Sequence, residues 1–260
     1  MNKPAVSISL SSYGAELVRQ RGQDFFIDVL AAAGADRIEW REELLTREVP
    51  AQLSAATQAQ GLQSIYSSPT ELWLAGQSRP NPELINALQN AEAFGSKWLK
   101  VSLGYFTDTN DLQALAERLK LSPVQLLVEN DQTLHGGRIE PFQRFFAAVE
   151  QHNLPIKMTF DIGNWQWQDQ SAANAARLLG RHVGYVHCKA VARRPDGKLV
   201  AVPPAVSDLH LWEQLLRHMA QGVMRAAEYP LQGEDLVQLT TEHVAALARL
   251  GQSRLEPAHV

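Results

Sequence analysis

Four residues that can bind a metal ion each stand at the end of a short strand-like run of the sequence. They are Glu129 in QLLVEN, Asp161 in KMTFDIGN, His187 in VGYVHCK and Glu228 in VMRAAEYP. Three carboxylates crowded together repel one another, and each is costly to remove from water alone. A divalent cation resolves both problems, and three oxygen donors with one imidazole suit Mn²⁺, Mg²⁺ or Co²⁺ and can also bind Zn²⁺. We therefore predict that these four side chains form one metal site.

Each of these residues also has an ordinary structural interpretation when it is taken alone. A Glu at a strand end is usually solvated or salt-bridged, and a lone His more often makes a structural hydrogen bond than a metal bond. The prediction depends on recurrence, because four consecutive strand-like runs end in the same way.

Eight strand-like runs alternate with amphipathic segments that repeat apolar residues with a helical period. The expected strands are Ala5–Leu10, Arg37–Arg41, Leu62–Ser67, Trp98–Leu103, Gln125–Glu129, Lys157–Asp161, Val183–His187 and Val223–Glu228. The expected helices are Asp24–Ala33, Pro82–Phe94, Asp111–Leu119, Pro141–Gln151, Ser171–Leu179, Asp208–Met219 and Glu234–Leu250, with the weakest signal at Pro50–Gln60.

This repeat predicts an α/β fold, a single (β/α)₈ barrel that comprises residues 1–260. The alternative is a doubly wound open sheet, which usually begins with a Gly-rich turn that the SSYG following Leu10 does not provide. The polar faces of the first and fourth strands, Ser7 with Ser9 and Lys100 with Ser102, are expected to line the inside of the barrel. Because barrel active sites lie at the carboxyl ends of the strands, the four candidate ligands would meet at one mouth.

The composition limits the class of partner. Hydrophobic residues make up 45% of the 260 residues and the formal net charge is −4, whereas nucleic-acid binding requires a basic surface. No apolar run approaches the ~20 residues that cross a bilayer, and the opening MNKPAVSISLSS is typical of a strand rather than of a signal peptide. Cys188 is the only cysteine, which is typical of a reducing compartment, so we expect a cytoplasmic protein. From the net charge and the lack of a long apolar run, we expect it to bind neither nucleic acid nor membrane.

The order Glu, Asp, His, Glu at the ends of strands five to eight resembles the xylose isomerase-like TIM barrels, the sugar phosphate isomerase/epimerase group. The resemblance rests on VEN, DIGN, HCK and AEYP, with weaker support from GADRIEWR at strand two, and it extends over essentially the whole chain. D-x-G-N and H-x-K further resemble a branch of epimerase-like proteins associated with ketogluconate use.

The resemblance implies one divalent ion, usually Mn²⁺ or Mg²⁺, held by Glu129, Asp161, His187 and Glu228. It also implies a small keto sugar or sugar acid whose carbonyl the ion polarises, with an enediolate as the intermediate. Glu129 and Glu228 would be the catalytic pair that removes and returns a proton beside the carbonyl from opposite faces. Return to the same carbon is epimerisation, and return to the next carbon is isomerisation.

The chain departs from the better-known epimerases at two positions that bear on substrate in those enzymes. Asn164 stands where they tend to have a His, three residues after the strand-six Asp, and His135 stands where they tend to have a second Glu. His135 could bind the sugar or carry a proton, and it could equally be a solvated loop residue. The metal site is therefore better supported than the substrate.

Several residues near the expected mouth are candidates for substrate binding, and each also has a structural interpretation. Glu39 and Arg41 could bind a sugar hydroxyl or carboxylate, or pair with each other. Lys189 and Arg193 could hold an anionic group, although the loop that contains Arg193 and Arg194 could be a solvated turn. The whole set is Glu39, Arg41, Tyr66, His135, Asn164, Trp165, Lys189 and Arg193.

Aromatic residues near the strand ends could wall the pocket against the apolar face of a sugar ring. Trp165 and Trp167 follow strand six, and Tyr66 and Trp73 lie at and beyond the end of strand three. The same tryptophans could instead form the interface of a homo-oligomer. Cys188 is expected to face the helices and to pack in the core.

Three classes of function compete. The first is a metal-dependent epimerase or isomerase, with dehydration of an inositol-type ketone on the same site as a related activity. The second is an apurinic-endonuclease-like DNA repair enzyme, whose trinuclear zinc cluster requires more His ligands than 8 His residues and a negative chain readily provide. The third is a binding protein that has lost the chemistry, and the intact ligand set argues against it.

Overall fold

The computed structural model describes residues 4–46 and 48–252. The strands are β1 (Val6–Ser9), β2 (Arg37–Arg41), β3 (Gln63–Trp73), β4 (Trp98–Gly104), β5 (Gln125–Glu129), β6 (Lys157–Asp161), β7 (Val183–Cys188), β8 (Ala190–Arg193), β9 (Leu199–Val202) and β10 (Met224–Ala227). The helices are α1 (Ala15–Arg21), α2 (Phe25–Ala32), α3 (Pro50–Ala59), α4 (Leu84–Ala93), α5 (Leu112–Leu119), α6 (Ile139–Gln151), α7 (Ala172–Leu179), α8 (Val206–Leu216) and α9 (Leu236–Arg249).

Eight parallel strands close into a barrel in the order β1-β10-β7-β6-β5-β4-β3-β2. Closure is complete because β1 pairs with both β2 and β10. The predicted (β/α)₈ barrel is thus confirmed.

Side chains in register on neighbouring parallel strands point to the same side of the wall, which identifies the residues of the lumen. Ser9 pairs with Glu39, and Asp161 pairs with His187. Lower in the lumen, an apolar layer consists of Ile65, Leu127, Tyr185 and Ala226. This layer separates the polar carboxyl end of the barrel from its amino end.

The apolar outer faces of the strands pack against the helices. In α6, Phe142, Phe145, Phe146 and Val149 recur at helical spacing and are all buried. Each such side chain contributes about 1.5–3 kcal/mol through removal from water, so this wall is held by packing. None of the helices in the described part of the chain combines the length and the apolar character needed to cross a membrane.

The structure differs from the sequence interpretation in three places. The first is α1, a seven-residue helix with one buried residue, Val18, whose pattern is too short to be recognised. Second, β3 continues to Trp73 rather than ending at Ser67, with an irregularity in its pairing with β4. Third, β8 and β9 form an antiparallel hairpin over 190–202, where a loop is expected; the turn between them contains Gly197 at φ +83°.

Candidate metal centre

The four predicted ligands converge at the carboxyl mouth of the barrel. Glu129 ends β5, Asp161 ends β6, His187 lies near the end of β7, and Glu228 directly follows β10. One ligand atom from each lies within 4.8 Å of those of the other three. Since these four strands are consecutive in the wall, the predicted convergence is confirmed, whereas metal binding itself stays a prediction.

The atom that each ligand turns into this group is buried and makes no aligned hydrogen bond among the described residues, although the Lys189 ammonium lies at ion-pair distance from two of these atoms. These atoms are Glu129 Oε1, Asp161 Oδ2, His187 Nδ1 and Glu228 Oε2. His187 Nδ1 lies 2.6 Å from Glu129 Oε1 and 2.8 Å from Glu228 Oε2, but without hydrogen-bond alignment. Buried polar atoms that converge without hydrogen bonds are costly unless another group satisfies them. The donor set therefore fits a divalent cation.

The second polar atom of each ligand is held by the protein. Asp161 Oδ1 accepts from the backbone N–H of Asn164 at 2.9 Å, and Glu228 Oε1 accepts from Arg41 Nη1 at 2.8 Å. Glu129 Oε2 accepts from Lys100 Nζ, and His187 Nε2 contacts Glu39 at 2.8 Å. Such outer contacts orient metal ligands and tune their affinity. Each ligand thus has one atom fixed by the protein and one directed to the common centre.

Lys189 and Asn164 lie beside the donor set. Lys189 Nζ is 2.6 Å from Asp161 Oδ2 and 3.0 Å from Glu228 Oε2, and it donates to Asn164 Oδ1 at 3.1 Å. Asn164 also donates through Nδ2 to the Asn130 carbonyl at 2.9 Å. The Asn164 side chain is therefore committed to protein contacts next to a ligand.

The buried charges are strongly coupled. Burial raises the pKa of Asp161 to about 7, Lys189 opposes this rise, and the Glu228 and Glu129 charges add to it. Burial would also raise the pKa of Glu129, but Lys100 and His187 outweigh it and lower that pKa to about 2. Burial opposes protonation of His187, yet the surrounding carboxylates raise its pKa well above the ordinary value. The four donor residues are thus electrostatically coupled to one another and to Lys100, Lys189 and Arg41, which lie against their carboxylates.

Lys100 is a further residue of the site. Its position on the polar face of the fourth strand predicts that it lies in the lumen, but that position alone predicts no role. Its side chain is buried and pairs with Glu129 on the neighbouring strand. A lysine on the inner face of a buried strand needs an opposite charge close by. The sequence therefore indicates that Lys100 pairs with a carboxylate in the lumen. Which carboxylate it meets depends on the β4–β5 register.

His135 lies at the rim of the barrel in a contact with Glu71. Its Nε2 is 2.7 Å from Glu71 Oε1, and its ring stacks on Tyr105 with a centroid distance of 3.6 Å. The ring is therefore held in place rather than freely solvated, and substrate binding by His135 stays a prediction.

Three predicted substrate-binding residues are not brought to the donor set. Tyr66 points outward, because its neighbour Ser67 faces the lumen, and its ring packs 5.1 Å from Phe94. Trp165 is fully buried in the core beside Phe142. Arg193 is exposed on β8, where its guanidinium donates to the Gly197 carbonyl at 2.8 Å. None of the three lies at the donor set, and contact of these side chains with a substrate stays a prediction.

Four other side chains near the mouth differ in burial and surroundings. Trp73 is fully buried against Phe106 rather than lining a pocket, whereas Trp167 is half-buried. Cys188 is buried in the main core, as expected. Glu39 is completely buried and contacts Tyr185, His187 and Arg41, and its contact with a sugar hydroxyl or carboxylate stays a prediction.

A cavity of about 230 Å³ opens beside the donor set. Its lining combines the loops after β1 and β10 with one residue of β9, and it includes Lys189 and Glu228. The complete lining is Ser11, Ser12, Gly14, Lys189, Ala201, Glu228, Tyr229, Pro230 and Gln232. A larger cavity, about 840 Å³, lies among α8, α9 and the start of β10 and contains none of the four ligands. We take the smaller one as the candidate substrate cavity, because it borders the donor atoms.

The chain matches the model of one protein family over most of its length. A family model described as xylose isomerase-like TIM barrel matches residues 27–247. The chain belongs to this family. No curated protein matches it in sequence.

Solved structures with the same fold share little sequence with this chain. A xylose isomerase domain-containing protein from Salmonella typhimurium LT2 is 15% identical, with a TM-score of 0.67 over 97% of this chain and 98% of that one. D-psicose 3-epimerase from Clostridium cellulolyticum H10, solved with D-tagatose, is 12% identical, with a TM-score of 0.65 over 95% and 99%. The IolI protein with a bound zinc atom is 14% identical, with a TM-score of 0.68 over 95% and 99%. These likenesses establish the fold.

Proposed function

We propose that the protein is a divalent-metal-dependent epimerase or isomerase of a small keto sugar or sugar acid. The observation that carries the proposal is the convergence of four buried donor atoms within 4.8 Å of one another, with no aligned hydrogen bond among the described residues and with the Lys189 ammonium beside two of them. Family membership and the likeness to a sugar epimerase and to a zinc-binding barrel support it.

Glu129, Asp161, His187 and Glu228 would hold the ion, with Mn²⁺ or Mg²⁺ favoured by three oxygen donors and Co²⁺ or Zn²⁺ also compatible. When bound, the ion would supply Lewis-acid polarisation of the substrate carbonyl. The donor set would serve a single ion, since it consists of four ligand atoms around one point.

Glu129 and Glu228 are the proposed acid–base pair. Glu129 on β5 and Glu228 after β10 are separated in the wall by β6 and β7, so they approach the centre from different sides. One carboxylate would take the proton from the carbon beside the carbonyl, and the other would return one. Lys100 and Arg41 each hold the outer oxygen of one member, which fixes the orientation of both carboxylates at the centre.

The small cavity would hold the remainder of the substrate. Its volume of about 230 Å³ lies below the range of about 300–1,000 Å³ for sites of drug-sized ligands, which favours a compact substrate. Lys189 contributes a buried ammonium group at the border between the cavity and the donor set. We assign Lys189 to the binding of a carboxylate or polarised oxygen of the substrate.

Deuterium uptake from heavy water tests the proposal across a panel of ketoses and keto acids. Protein stripped of metal and then reloaded with Mn²⁺, Mg²⁺, Co²⁺ or Zn²⁺ is expected to exchange a carbon-bound proton of at least one substrate, and the stripped protein is not. Loss of water from the substrate instead would indicate a dehydratase. Absence of exchange with every metal and substrate would overturn the proposal, as would three bound zinc ions per chain.

A further inference from the structure

We propose that Glu39 is a positioning residue that holds the His187 imidazole with Nδ1 turned toward the donor set. The inference rests on the proposed metal site, since it concerns the orientation of one ligand. Glu39 is on β2 and His187 on β7, with β1 and β10 between them in the wall. Their side chains nevertheless meet in the lumen, where Glu39 Oε2 lies 2.8 Å from His187 Nε2 and both side chains are completely buried.

The directions of the hydrogen bonds around Glu39 follow from its carboxylate. The Tyr185 hydroxyl donates to the same oxygen, Glu39 Oε2, at 2.6 Å, and Ser7 Oγ contacts the Tyr185 hydroxyl. An ionised carboxylate only accepts, so both Tyr185 and His187 donate to it, and Ser7 donates to Tyr185. Ser7, Tyr185 and Glu39 therefore form a series of hydrogen bonds in which each hydroxyl donates in the direction of the Glu39 carboxylate.

This arrangement selects one form of the imidazole. A neutral ring that donates through Nε2 carries its lone pair on Nδ1. Nδ1 is the atom of His187 that is buried without a hydrogen-bond partner in the described structure and that lies near Glu129 and Glu228. A carboxylate that fixes the outer nitrogen of a ligating His is a common way to raise its basicity and hold its plane.

The residues that surround the Glu39–His187 contact in the lumen are small or apolar. Ala226 pairs in register with Ser7 on one side and with His187 on the other, and its small methyl group leaves room for a side chain to cross. The layer of Ile65, Leu127, Tyr185 and Ala226 adjoins the crossing and is apolar apart from the Tyr185 hydroxyl. Glu39 is thus enclosed among fixed donors.

The test compares Glu39→Gln and Tyr185→Phe with a matched control, Tyr13→Phe. Tyr13 is also a buried tyrosine whose hydroxyl contacts another hydroxyl, that of Thr240 at 2.7 Å, and its ring stacks on Phe26, so these contacts involve none of the four ligands. Zn²⁺ affinity is measured by chelator competition, and the His187 ring is observed by ¹⁵N NMR in the Zn²⁺-loaded protein. The wild type and Tyr13→Phe are expected to carry the proton on Nε2.

Glu39→Gln is expected to weaken Zn²⁺ binding about 10–100-fold, because the amide can donate to Nε2 and shift the ring proton to Nδ1. Tyr185→Phe keeps the Glu39–His187 contact and is expected to have a smaller effect. The inference is overturned if the wild-type ring carries its proton on Nδ1. It is also overturned if Glu39→Gln keeps wild-type affinity and an Nε2 proton.

Measurements on the metal-free protein distinguish failure of this inference from failure of the proposed function. A wild-type chain that binds no divalent ion contradicts the metal site but leaves the contact itself testable. In that case, a His187 Nε2 proton that is protected from exchange in the wild type and loses protection in Glu39→Gln supports the positioning role. Equal protection in both proteins contradicts it.

Discussion

Arg41 Nη1 donates to Glu228 Oε1 at 2.8 Å, so the end of β2 holds the carboxylate that follows β10. The same guanidinium lies 2.8 Å from Glu43 and 3.4 Å from Glu39. Arg41→Lys replaces a planar fork with one point charge, which cannot keep several carboxylates in place together. We expect about 10–100-fold lower kcat/KM, measured by steady-state kinetics on any substrate found by deuterium exchange.

Arg177→Lys is the matched change for Arg41→Lys. Arg177 is exposed on α7, and its guanidinium donates to Asn174 Oδ1 at 2.8 Å. Its kinetics should therefore equal those of the wild type. A similar loss in both variants would show that the Arg41 effect is not specific to the Glu228 contact.

Glu129→Gln should abolish turnover and also destabilise the protein. The Lys100 side chain is buried against Glu129, and removing one member of a buried ion pair costs about 3–5 kcal/mol because the other charge loses its partner. The double variant Lys100→Met/Glu129→Gln should regain most of the unfolding free energy, measured in urea, while remaining inactive. Near-normal proton exchange into substrate by Glu129→Gln would contradict its assignment to the acid–base pair.

The barrel and its four candidate ligands could be predicted because both signals are periodic along the chain. Alternation marks the strands, and Glu129, Asp161, His187 and Glu228 recur at the same point of four strand–helix units. In a closed barrel the carboxyl ends of successive strands must lie side by side. The local sequence pattern and the barrel topology therefore both place these four residues together at the carboxyl end of the barrel.

The placement of the aromatic residues could not be predicted, because aromatic rings are as common in the core as in sugar-binding walls. The Tyr66 side chain points outward from β3 and packs with Phe94, whereas the side chain of the neighbouring Ser67 points into the lumen. Trp165 lies in the turn after β6, which brings its ring into the core against Phe160. Only the three-dimensional path of each loop decides between the two environments.

Acidification should destabilise the fold through His182. Its ring stacks on Phe146 at a centroid distance of 4.7 Å. Burial lowers its pKa, with Arg181 and Lys157 adding to the effect and Glu150 opposing it. The folded state therefore binds this proton less readily than the unfolded state, so the stability is fully present above the ordinary His pKa of about 6.5 and falls as the pH decreases below it.

His182→Gln is expected to flatten the fall in unfolding free energy between about pH 6.5 and pH 5, the range just below the ordinary His pKa. The exposed His152 provides the matched change, and His152→Gln should keep the wild-type slope. Urea unfolding at several pH values measures both. Equal slopes in the wild type and His182→Gln would show that this ring does not contribute.

Removal of bound metal should lower the melting temperature, because an ion that binds only the folded state stabilises it by mass action. At an ion concentration of 100 times Kd the gain is about 2.7 kcal/mol, which for a chain of this size corresponds to roughly 5–10 °C. Asp161→Asn removes one charged donor while keeping an oxygen for the Asn164 backbone, so it should lose most of this shift. Asp111→Asn makes the same change at the α5 N-cap, where Asn also caps well, and should keep the shift. A melting temperature that is the same in chelator and in Mn²⁺, Mg²⁺, Co²⁺ or Zn²⁺ would show that the donor set does not hold an ion.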